Sequence, residues 1–339
     1  MRHIVEGLPE ALSDCVNLAS ARLGARVVSV SDAFFGAPER MLSPAAPVFK
    51  PDAYDANGKW MDGWETRRRR GPGHDWCVLR LGAPGLVRAV EIDTAHFTGN
   101  YAPAASLYAL DADPDGPPPG PDAPWRPLLP ARPLGPDQRV VFPLDAPTTA
   151  AWVKLEIHPD GGVARLKLWG RPRPPWEAAA ARAAADELSA LGAGGRILGY
   201  SNAHYGAVEA LLLPGRGETM GDGWETRRRR EPGFDWIVVA LGAPGRVSRI
   251  EIDTAHFKGN FPERAGLRAA WVPPGLPDAA ALNAAMFWPS LLPDQPLQAD
   301  HVHVFEGPAL WDLGVVSHVR LDIHPDGGVS RLRVFGRAA

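Results

Sequence analysis

The sequence predicts an all-β protein made of two tandem jelly-roll β-sandwiches, each preceded by a short helix. The first observation is an internal repeat: residues 62–70, Asp-Gly-Trp-Glu-Thr-Arg-Arg-Arg-Arg, recur unchanged at 222–230, and residues 91–97 recur at 251–257. The second is the composition, because 36 glycines and 36 prolines suit short strands joined by turns better than long helices. The third is a series of segments in which apolar and polar residues alternate, as in strands with one buried face. Mostly antiparallel strands with long loops favour a jelly roll.

The predicted elements of the first repeat run from a helix to a closing hairpin. We expect the helix over residues 10–23, where apolar residues recur at helical spacing and Gly24 follows as a stop signal. A stretch rich in Pro, Gly and Asp predicts a long loop at 111–137, and the Pro-Asp-Gly-Gly turn at 159–162 predicts a hairpin. The segments with strand-like alternation are residues 27–31, 75–82, 87–94, 153–158 and 164–170.

The second repeat follows the same order after a proline-rich boundary at residues 172–175. An Ala- and Glu-rich segment from Trp176 to Leu191 predicts its helix, and the hairpin returns over Val319 to Gly336. The sequence therefore predicts one domain over residues 1–172 and a second over residues 173–339.

Composition restricts the classes of function. At 339 residues the chain is long enough for two domains, and 45% hydrophobic residues supply core material for both. A formal net charge of −3 and a pI near 6.4 give no basic surface, so we expect no nucleic-acid partner. The sequence has no stretch of ~18 apolar residues, so we expect no membrane span. Ile237 replaces Cys77 in the second repeat, which predicts that Cys77 is a buried apolar residue. Cys15 and Cys77 suggest no disulfide framework, so we expect a reducing cytoplasm.

The four consecutive arginines of the repeated block are candidates for binding an anion. Along an extended segment, alternate arginines point to opposite sides. A guanidinium group holds a planar carboxylate through two parallel hydrogen bonds. We therefore predict that Arg67 and Arg69, or Arg227 and Arg229 in the second copy, bind an anionic substrate. A structural network of ion pairs is the alternative.

Asp and His recur three residues apart at the end of a predicted strand, as Asp93 and His96 and again as Asp253 and His256. Functional groups commonly lie where a chain leaves a sheet. If the chain turns between the two residues, the carboxylate can orient the imidazole as a general base. The alternatives are a capping aspartate with a histidine held by the backbone, or a metal site. No clear ligand motif for a divalent metal accompanies the pair, so we predict no cofactor.

Carboxyl and amide side chains complete the candidate set. Glu65 and Glu225 each follow a tryptophan, and a carboxyl group against an aromatic ring can act as an acid because its pKa rises. An ion pair with one of the arginines is the alternative. Asn100 and Asn260 each follow a glycine, where they can donate to a substrate carbonyl or hold a turn.

The two copies differ beside these shared residues. The first copy has about ten additional residues around Lys50 to Met61, which predicts a surface insertion. Lys258 of the second copy replaces Thr98 of the first and adds a cation close to His256. If only one site is active, this difference favours a site that includes the second repeat.

Three segments together resemble the allantoicase family: the run from Gly221 to Arg230, residues 250–260 and residues 323–336. The resemblance extends over nearly the whole chain and includes both repeats. It implies two jelly-roll repeats of the galactose-binding-like type, and hydrolysis of allantoate to ureidoglycolate and urea in purine degradation. The competing class is a tandem carbohydrate- or anion-binding module without catalysis, because function in this fold is determined by the loops.

Allantoate carries one carboxylate and two ureido groups on a single carbon, so the resemblance implies a role for each candidate. A bidentate cation is needed for the carboxylate, which points to Arg67 with Arg69 or Arg227 with Arg229. Ureido groups need amide-recognising partners, which are Asn100, Asn260, Glu65 and Glu225. We expect His256 or His96, held by Asp253 or Asp93, to transfer the proton. Lys258 or an arginine would stabilise the developing negative charge. We also expect a homo-oligomer.

Overall fold

The computed structural model describes residues 10–12, 14–173 and 186–339, which fold almost entirely as β-structure. The strands of the first repeat are β1 (Val16–Asn17), β2 (Arg26–Val30), β3 (Tyr54–Asp55), β4 (Gly58–Lys59), β5 (Trp64–Glu65), β6 (Asp75–Asp93), β7 (Ala104–Leu110), β8 (Arg126–Pro133), β9 (Arg139–His158), β10 (Gly162–Val163) and β11 (Arg165–Pro172). Described residues up to Arg173 form one compact unit, and those from Asp186 onwards belong to a second.

The second repeat has the same order of strands, except that it lacks the β3–β4 hairpin and that the counterpart of β9 is divided in two. Its strands are β12 (Asp186–Glu187), β13 (Arg196–Tyr200), β14 (Trp224–Glu225), β15 (Asp235–Asp253), β16 (Arg264–Ala270), β17 (Ser290–Pro296), β18 (Val302–Glu306), β19 (Val315–His324), β20 (Gly328–Val329) and β21 (Arg331–Ala338). The α-helix α1 (Asp278–Ala284) lies in the connection between β16 and β17.

Each repeat is a sandwich because one of its long strands, β6 or β15, passes from one layer to the other. In β6 the register with β9 shifts between Arg80 and Gly85. Residues before this shift pair with β2, and residues after it pair with β11. The second half of β9 continues into β7 and β8, and β1 extends the other layer beyond β11. In the second repeat β15 bends in the same way, and β18 and β19 share the role of β9. The predicted all-β jelly-roll architecture is confirmed.

The core lies between the two layers. Alternate residues of β6, such as Cys77, Leu79 and Val87, have no exposed surface, and β9 contributes Val153 and Leu155 in the same way. Complete burial of a Val or Leu side chain stabilises the fold by about 1.5–3 kcal/mol. Cys77 is a buried free thiol with an apolar setting, and burial raises its pKa well above the ordinary value.

The helix predicted over residues 10–23 is wrong. The chain forms 3-10 turns at Glu10–Leu12 and Ala21–Leu23 with β1 between them. Asn17 Oδ1 accepts hydrogen bonds from the backbone N–H groups of Ala19 and Leu168, both at 3.0 Å, so the segment is tied to β11. Pairing with the sheet therefore overrides the helical spacing of the apolar residues.

Other predicted elements differ in extent. Of the helix predicted over 176–191, residues 176–185 lie outside the described residues, and the part from Asp186 begins with β12. The loop predicted over 111–137 contains β8, which pairs with β7. The insertion around 50–61 carries the small hairpin of β3 and β4. No helix in the described part of the chain is long and apolar enough to cross a membrane.

Candidate active site

The repeated Trp-Glu dipeptide is anchored at the edge of each sandwich. Trp64 is fully buried, and its indole N–H donates to the carbonyl of Asp32 at 2.8 Å; Trp224 makes the same bond to Asn202. The strands β5 and β14 that contain these tryptophans pair with β10 and β20, which follow the Pro-Asp-Gly-Gly turns. The glutamate next in sequence is thereby fixed at the rim of the sandwich.

The arginines predicted to bind the substrate are engaged in internal contacts instead. Arg67 Nε donates to Asp32 Oδ1 at 2.8 Å, and Arg69 Nη2 donates to Asp75 Oδ1 at 2.7 Å. In the second copy the partner of Arg227 is Glu231, and Arg229 Nη2 lies 2.5 Å from Asp235 Oδ1. These contacts form the structural network of ion pairs named above as the alternative, because carboxylates of the chain already hold the four guanidinium groups that were predicted to bind the substrate.

A cleft of about 790 Å³ lies beside Glu225 and Asn260, and we call it the repeat-2 cleft. Asn260 Nδ2 donates to Glu225 Oε1 at 2.6 Å and orients the carboxyl group. The backbone carbonyl of Glu225 accepts from the N–H groups of His204 at 2.9 Å and Tyr205 at 3.3 Å, which brings that loop to the cleft. Arg227 and Arg228 lie on another wall, with the turn residues Pro325 and Asp326.

Arg228 differs from its neighbours because its guanidinium has no acidic partner among the described residues. It is exposed and lines the repeat-2 cleft, whereas Arg227 and Arg229 are occupied by carboxylates. The backbone N–H of Arg229 donates to Asp326 Oδ2 at 2.7 Å, which fastens the arginine segment to the hairpin turn. An unneutralised guanidinium above a glutamate–asparagine pair provides a site for a small carboxylate with amide groups.

The first repeat has a corresponding cleft of about 420 Å³, which we call the repeat-1 cleft. Asn100 Nδ2 donates to Glu65 Oε1 at 2.7 Å, as in the second repeat. The cleft is lined by Phe35, Phe49, Lys59, Met61, Glu65, His96, Thr98, Asn100 and Asp137. Phe49, Lys59 and Met61 come from or adjoin the insertion, so the insertion forms one wall of the cleft.

Burial changes the acidity of Glu65. Its side chain is buried at the base of the repeat-1 cleft, and desolvation raises the pKa of the carboxyl group above its usual value. The hydrogen bond from Asn100 acts in the opposite direction because it stabilises the carboxylate, and the charge of Asp55 adds to the rise. The sequence-based expectation of a raised pKa is met for Glu65.

The predicted Asp–His pairing does not form. Asp93 Oδ1 accepts from the backbone N–H of Ala95 at 2.7 Å, and Asp253 Oδ1 accepts from Ala255 at 2.8 Å. These are the capping roles named above as the alternative. Burial is the main cause that raises the pKa of Asp93, and the hydrogen bond from the Ala95 backbone acts in the opposite direction.

Each histidine is instead held by groups from other loops. His96 has a φ of 68° and His256 one of 70°, so the backbone turns through the left-handed region at each histidine, beyond the end of the strand. His256 Nε2 lies 2.7 Å from the carbonyl of Gly217, and His96 Nε2 lies 3.3 Å from the carbonyl of Pro47. His96 lines the repeat-1 cleft, whereas His256 is absent from the described lining of the repeat-2 cleft.

Lys258 does not take the position expected for stabilising a reaction in the repeat-2 cleft. It is exposed, and its charge acts on Asp300, whose carboxylate accepts from the backbone N–H of His256 at 2.9 Å. That hydrogen bond is the main cause that lowers the pKa of Asp300, with the charges of Arg216 and Lys258 contributing.

Sequence reasoning missed the two cleft cations, Lys59 and Arg228, and the aromatic pair His204–Tyr205. His204 and Tyr205 occupy the positions of Phe34 and Phe35 in the first repeat, so that difference between the copies was an available signal. Within the described ranges no group of three or more His, Cys, Asp or Glu is placed to hold a metal ion.

Comparison with known proteins bears on the whole chain. The model of the allantoicase repeat matches residues 16–173 and again residues 186–339. The chain belongs to the allantoicase family. A probable allantoicase 2 from Burkholderia pseudomallei is 52% identical over 324 residues, which cover 96% of this chain and 95% of that protein. A probable allantoicase from Rhizobium meliloti is 49% identical over 337 residues, covering 98% and 97% of the two chains.

A solved structure of the allantoicase family has the same fold. The crystal structure of allantoicase from Saccharomyces cerevisiae superposes with a TM-score of 0.78 at 37% identity, covering 95% of this chain and 93% of that chain. The fold of both repeats is therefore shared with that allantoicase.

Proposed function

We propose that this chain hydrolyses allantoate to ureidoglycolate and urea, a step of allantoin and purine degradation, and that the reaction takes place in the repeat-2 cleft. The observation that carries the choice of site is Arg228, a guanidinium without a carboxylate partner among the described residues, which lines the same cleft as the Glu225–Asn260 pair. Membership of the allantoicase family supports the reaction.

Substrate binding uses groups of complementary chemistry. Arg228 binds the carboxylate of allantoate through two parallel hydrogen bonds, as guanidinium groups do. The ureido groups carry N–H donors and a carbonyl acceptor, which match the Glu225 carboxylate and the Asn260 amide. Arg227 and Asp326 border the same space and restrict how the substrate lies.

The reaction breaks the bond between the central carbon and one ureido nitrogen and forms a bond from that carbon to a water oxygen. Glu225 removes a proton from the attacking water, and its fixed hydrogen bond with Asn260 keeps the second carboxylate oxygen available. His204, held over the site by the carbonyl of Glu225, returns a proton to the departing urea nitrogen. The water thus supplies the hydroxyl group of ureidoglycolate.

Release of urea is the decisive measurement. We expect urea from allantoate and none from allantoin, since the ring of allantoin lacks the free carboxylate that Arg228 binds. Glu225→Gln keeps the hydrogen bond to Asn260 but cannot accept the proton, so kcat should fall by about twofold or more. The exposed Glu306→Gln is a matched control. A chain that releases no urea from allantoate is a binding module, and the proposal is then wrong.

We further propose a cytoplasmic homo-oligomer that needs no bound metal. Two buried free thiols, Cys15 and Cys77, fit a reducing compartment. Trp271, Phe287 and Trp311 are more than half exposed in the second repeat and offer apolar surface for association. Light scattering tests the assembly with Trp271→Ser and Phe287→Ser, and dialysis against a chelator tests the metal: full activity afterwards supports the proposal.

A further inference from the structure

The repeat-1 cleft contains the same chemical groups as the repeat-2 cleft, although different residues supply some of them. The shared part is the base of each cleft, where the Glu–Asn hydrogen bond is 2.7 Å in the first repeat and 2.6 Å in the second. The backbone carbonyl of each glutamate also accepts from the same loop of its repeat, but one residue apart in register. Glu65 O accepts from Phe35 and Gly36, whereas Glu225 O accepts from His204 and Tyr205, the counterparts of Phe34 and Phe35. Corresponding segments therefore present a carboxyl group in each repeat.

The cation comes from a different element in each repeat. Arg228, which lines the repeat-2 cleft, has its counterpart in Arg68, and Arg68 is absent from the described lining of the repeat-1 cleft. Lys59 takes that place from the insertion, with Nζ 4.6 Å from the centre of the Phe49 ring. Among described residues Lys59 has no carboxylate partner, so its charge is available to a ligand, as is that of Arg228.

The imidazole also comes from a different segment of the chain in each repeat. In the repeat-2 cleft it is His204, whose counterpart in the first repeat is Phe34. In the repeat-1 cleft it is His96, whose ring lies 5.7 Å from that of Phe49 and whose counterpart His256 is bound to Gly217. Each cleft therefore holds a Glu–Asn pair, an imidazole and a cation that has no carboxylate partner among the described residues. Further carboxylates also line them: Asp137 in the repeat-1 cleft, and Glu263 and Asp326 in the repeat-2 cleft. A repeat that had lost its function would lose such groups, and other elements would not replace them.

We propose that the repeat-1 cleft is a second catalytic centre, which binds and hydrolyses a small carboxylate bearing ureido groups with Glu65, Asn100, Lys59 and His96. This inference rests on the function proposed above. The step is the same: the carbon–nitrogen bond to one ureido group breaks, a carbon–oxygen bond to water forms, and the water proton taken by Glu65 is matched by one that His96 gives to the leaving urea. No redox partner or cofactor enters.

The two centres differ in size and wall. The volume of the repeat-1 cleft is about 420 Å³, and that of the repeat-2 cleft is about 790 Å³. Phe35, Phe49 and Met61 give the repeat-1 cleft an apolar side. Lys59 presents a point charge where Arg228 presents a planar fork, so the two centres should differ in KM for one substrate.

Kinetics of three variants of the full chain test the proposal. Glu65→Gln and Glu225→Gln each inactivate one centre while preserving its Glu–Asn hydrogen bond, and the double variant inactivates both. We expect each single variant to keep roughly a tenth or more of wild-type urea release from allantoate, with a distinct KM, and the double variant to lose about 100-fold or more. Glu306→Gln serves as control for the substitution itself.

Stoichiometry gives a readout that does not depend on turnover. Equilibrium dialysis of allantoate with the double variant should give two molecules bound per chain, and adding Lys59→Met should reduce this to one. One molecule per chain before Lys59→Met is added, or a Glu225→Gln variant as inactive as the double variant, overturns the second centre. A double variant as active as wild type instead defeats the glutamate mechanism of the proposed function. Circular dichroism confirms that each variant is folded.

Discussion

Arg331 holds Asp222 through two of its nitrogens, with Nη2 2.9 Å from Oδ2 and Nη1 donating to the backbone carbonyl at 2.8 Å. Both side chains are only 3% exposed. Arg165 and Asp62 repeat the arrangement in the first sandwich, where Nη2 lies 2.7 Å from Oδ2. The aspartate that opens each repeated block is therefore structural: it ties the segment before Trp-Glu to the closing strand.

Replacing Asp222 by Asn should destabilise the second repeat strongly. The change leaves the buried Arg331 guanidinium without its counter-charge, which costs about 3–5 kcal/mol in comparable pairs. Asp312, which pairs with Arg246 where both are about two-thirds exposed, is the matched control, and its replacement by Asn should cost about 0–1 kcal/mol. Urea denaturation followed by tryptophan fluorescence measures both; equal costs would contradict the structural role.

Gly162→Ala should destabilise the first repeat, because a Cβ at this position overlaps the fully buried Phe97 ring. Overpacking of a core typically costs about 1–3 kcal/mol. At Gly99 a Cβ meets nothing within 4 Å, so Gly99→Ala is the comparison. Thermal unfolding separates the two variants, and adding Phe97→Leu to Gly162→Ala should recover part of the loss.

Neighbouring arginines should have opposite phenotypes. In a Glu65→Gln background, Arg228→Met should raise KM for allantoate by roughly 10–100-fold, the effect of losing a charge-assisted hydrogen bond, with little change in unfolding. Arg229→Met should lower stability, since it leaves Asp235, which is 1% exposed, without its partner. Steady-state kinetics and denaturation on both variants provide the check. If Arg229→Met raised KM more than Arg228→Met did, Arg229 and not Arg228 would be the residue that binds the substrate carboxylate.

The pH dependence of the repeat-1 centre should reflect the raised pKa of Glu65. As a general base Glu65 must be ionised, so kcat/KM of the Glu225→Gln variant should fall as pH drops through that raised pKa. The fall should begin above the pH at which an ordinary glutamate protonates. Asn100→Ala removes the hydrogen bond that stabilises the carboxylate and should move the fall to still higher pH. A movement to lower pH would show that Glu65 is not the titrating base.

Acid should weaken the second repeat through His318. Burial is the main cause that lowers the pKa of His318 to about 4, with the charge of Arg196 adding to it. The unfolded chain binds this proton below about pH 6.5, where the folded chain does not, so stability falls from pH 6.5 towards 4 by up to about 2 kcal/mol after allowance for partial exposure. His318→Gln should flatten the fall, whereas the exposed His301→Gln should not. Denaturation midpoints across this pH range measure the difference.

The repeated charged and polar residues predicted the two-repeat organisation and the Glu–Asn pair of each cleft. Glu65 and Asn100 lie 35 positions apart in the chain yet meet, as do Glu225 and Asn260, and their identity in both copies pointed to them. The sandwich itself followed from alternation and turns. These signals are local, so a single sequence contains them.

The remaining site residues depend on contacts that local patterns do not encode. Arg67 is held by Asp32 and Arg229 by Asp235, and no spacing rule states which arginine of a run of four finds a carboxylate. The Asp–His hypothesis failed on the backbone turn at His96 and His256. Lys59 escaped notice because it lies in a segment that the second repeat lacks.

The positions of the cleft groups suggest how substrate preference could be redesigned. Glu65 lies on β5, which pairs with β10, and the Asn100 carbonyl accepts from Gly162 of β10. Lys59 comes from the small separate hairpin β3–β4. The second repeat lacks this hairpin, and its sandwich strands are nevertheless paired. Recognition of the ligand's charge is therefore separable from the apparatus that performs the chemistry. Grafting residues 50–61 between Gly217 and Gly221 would test this separation by moving the Lys59 cation to the other centre.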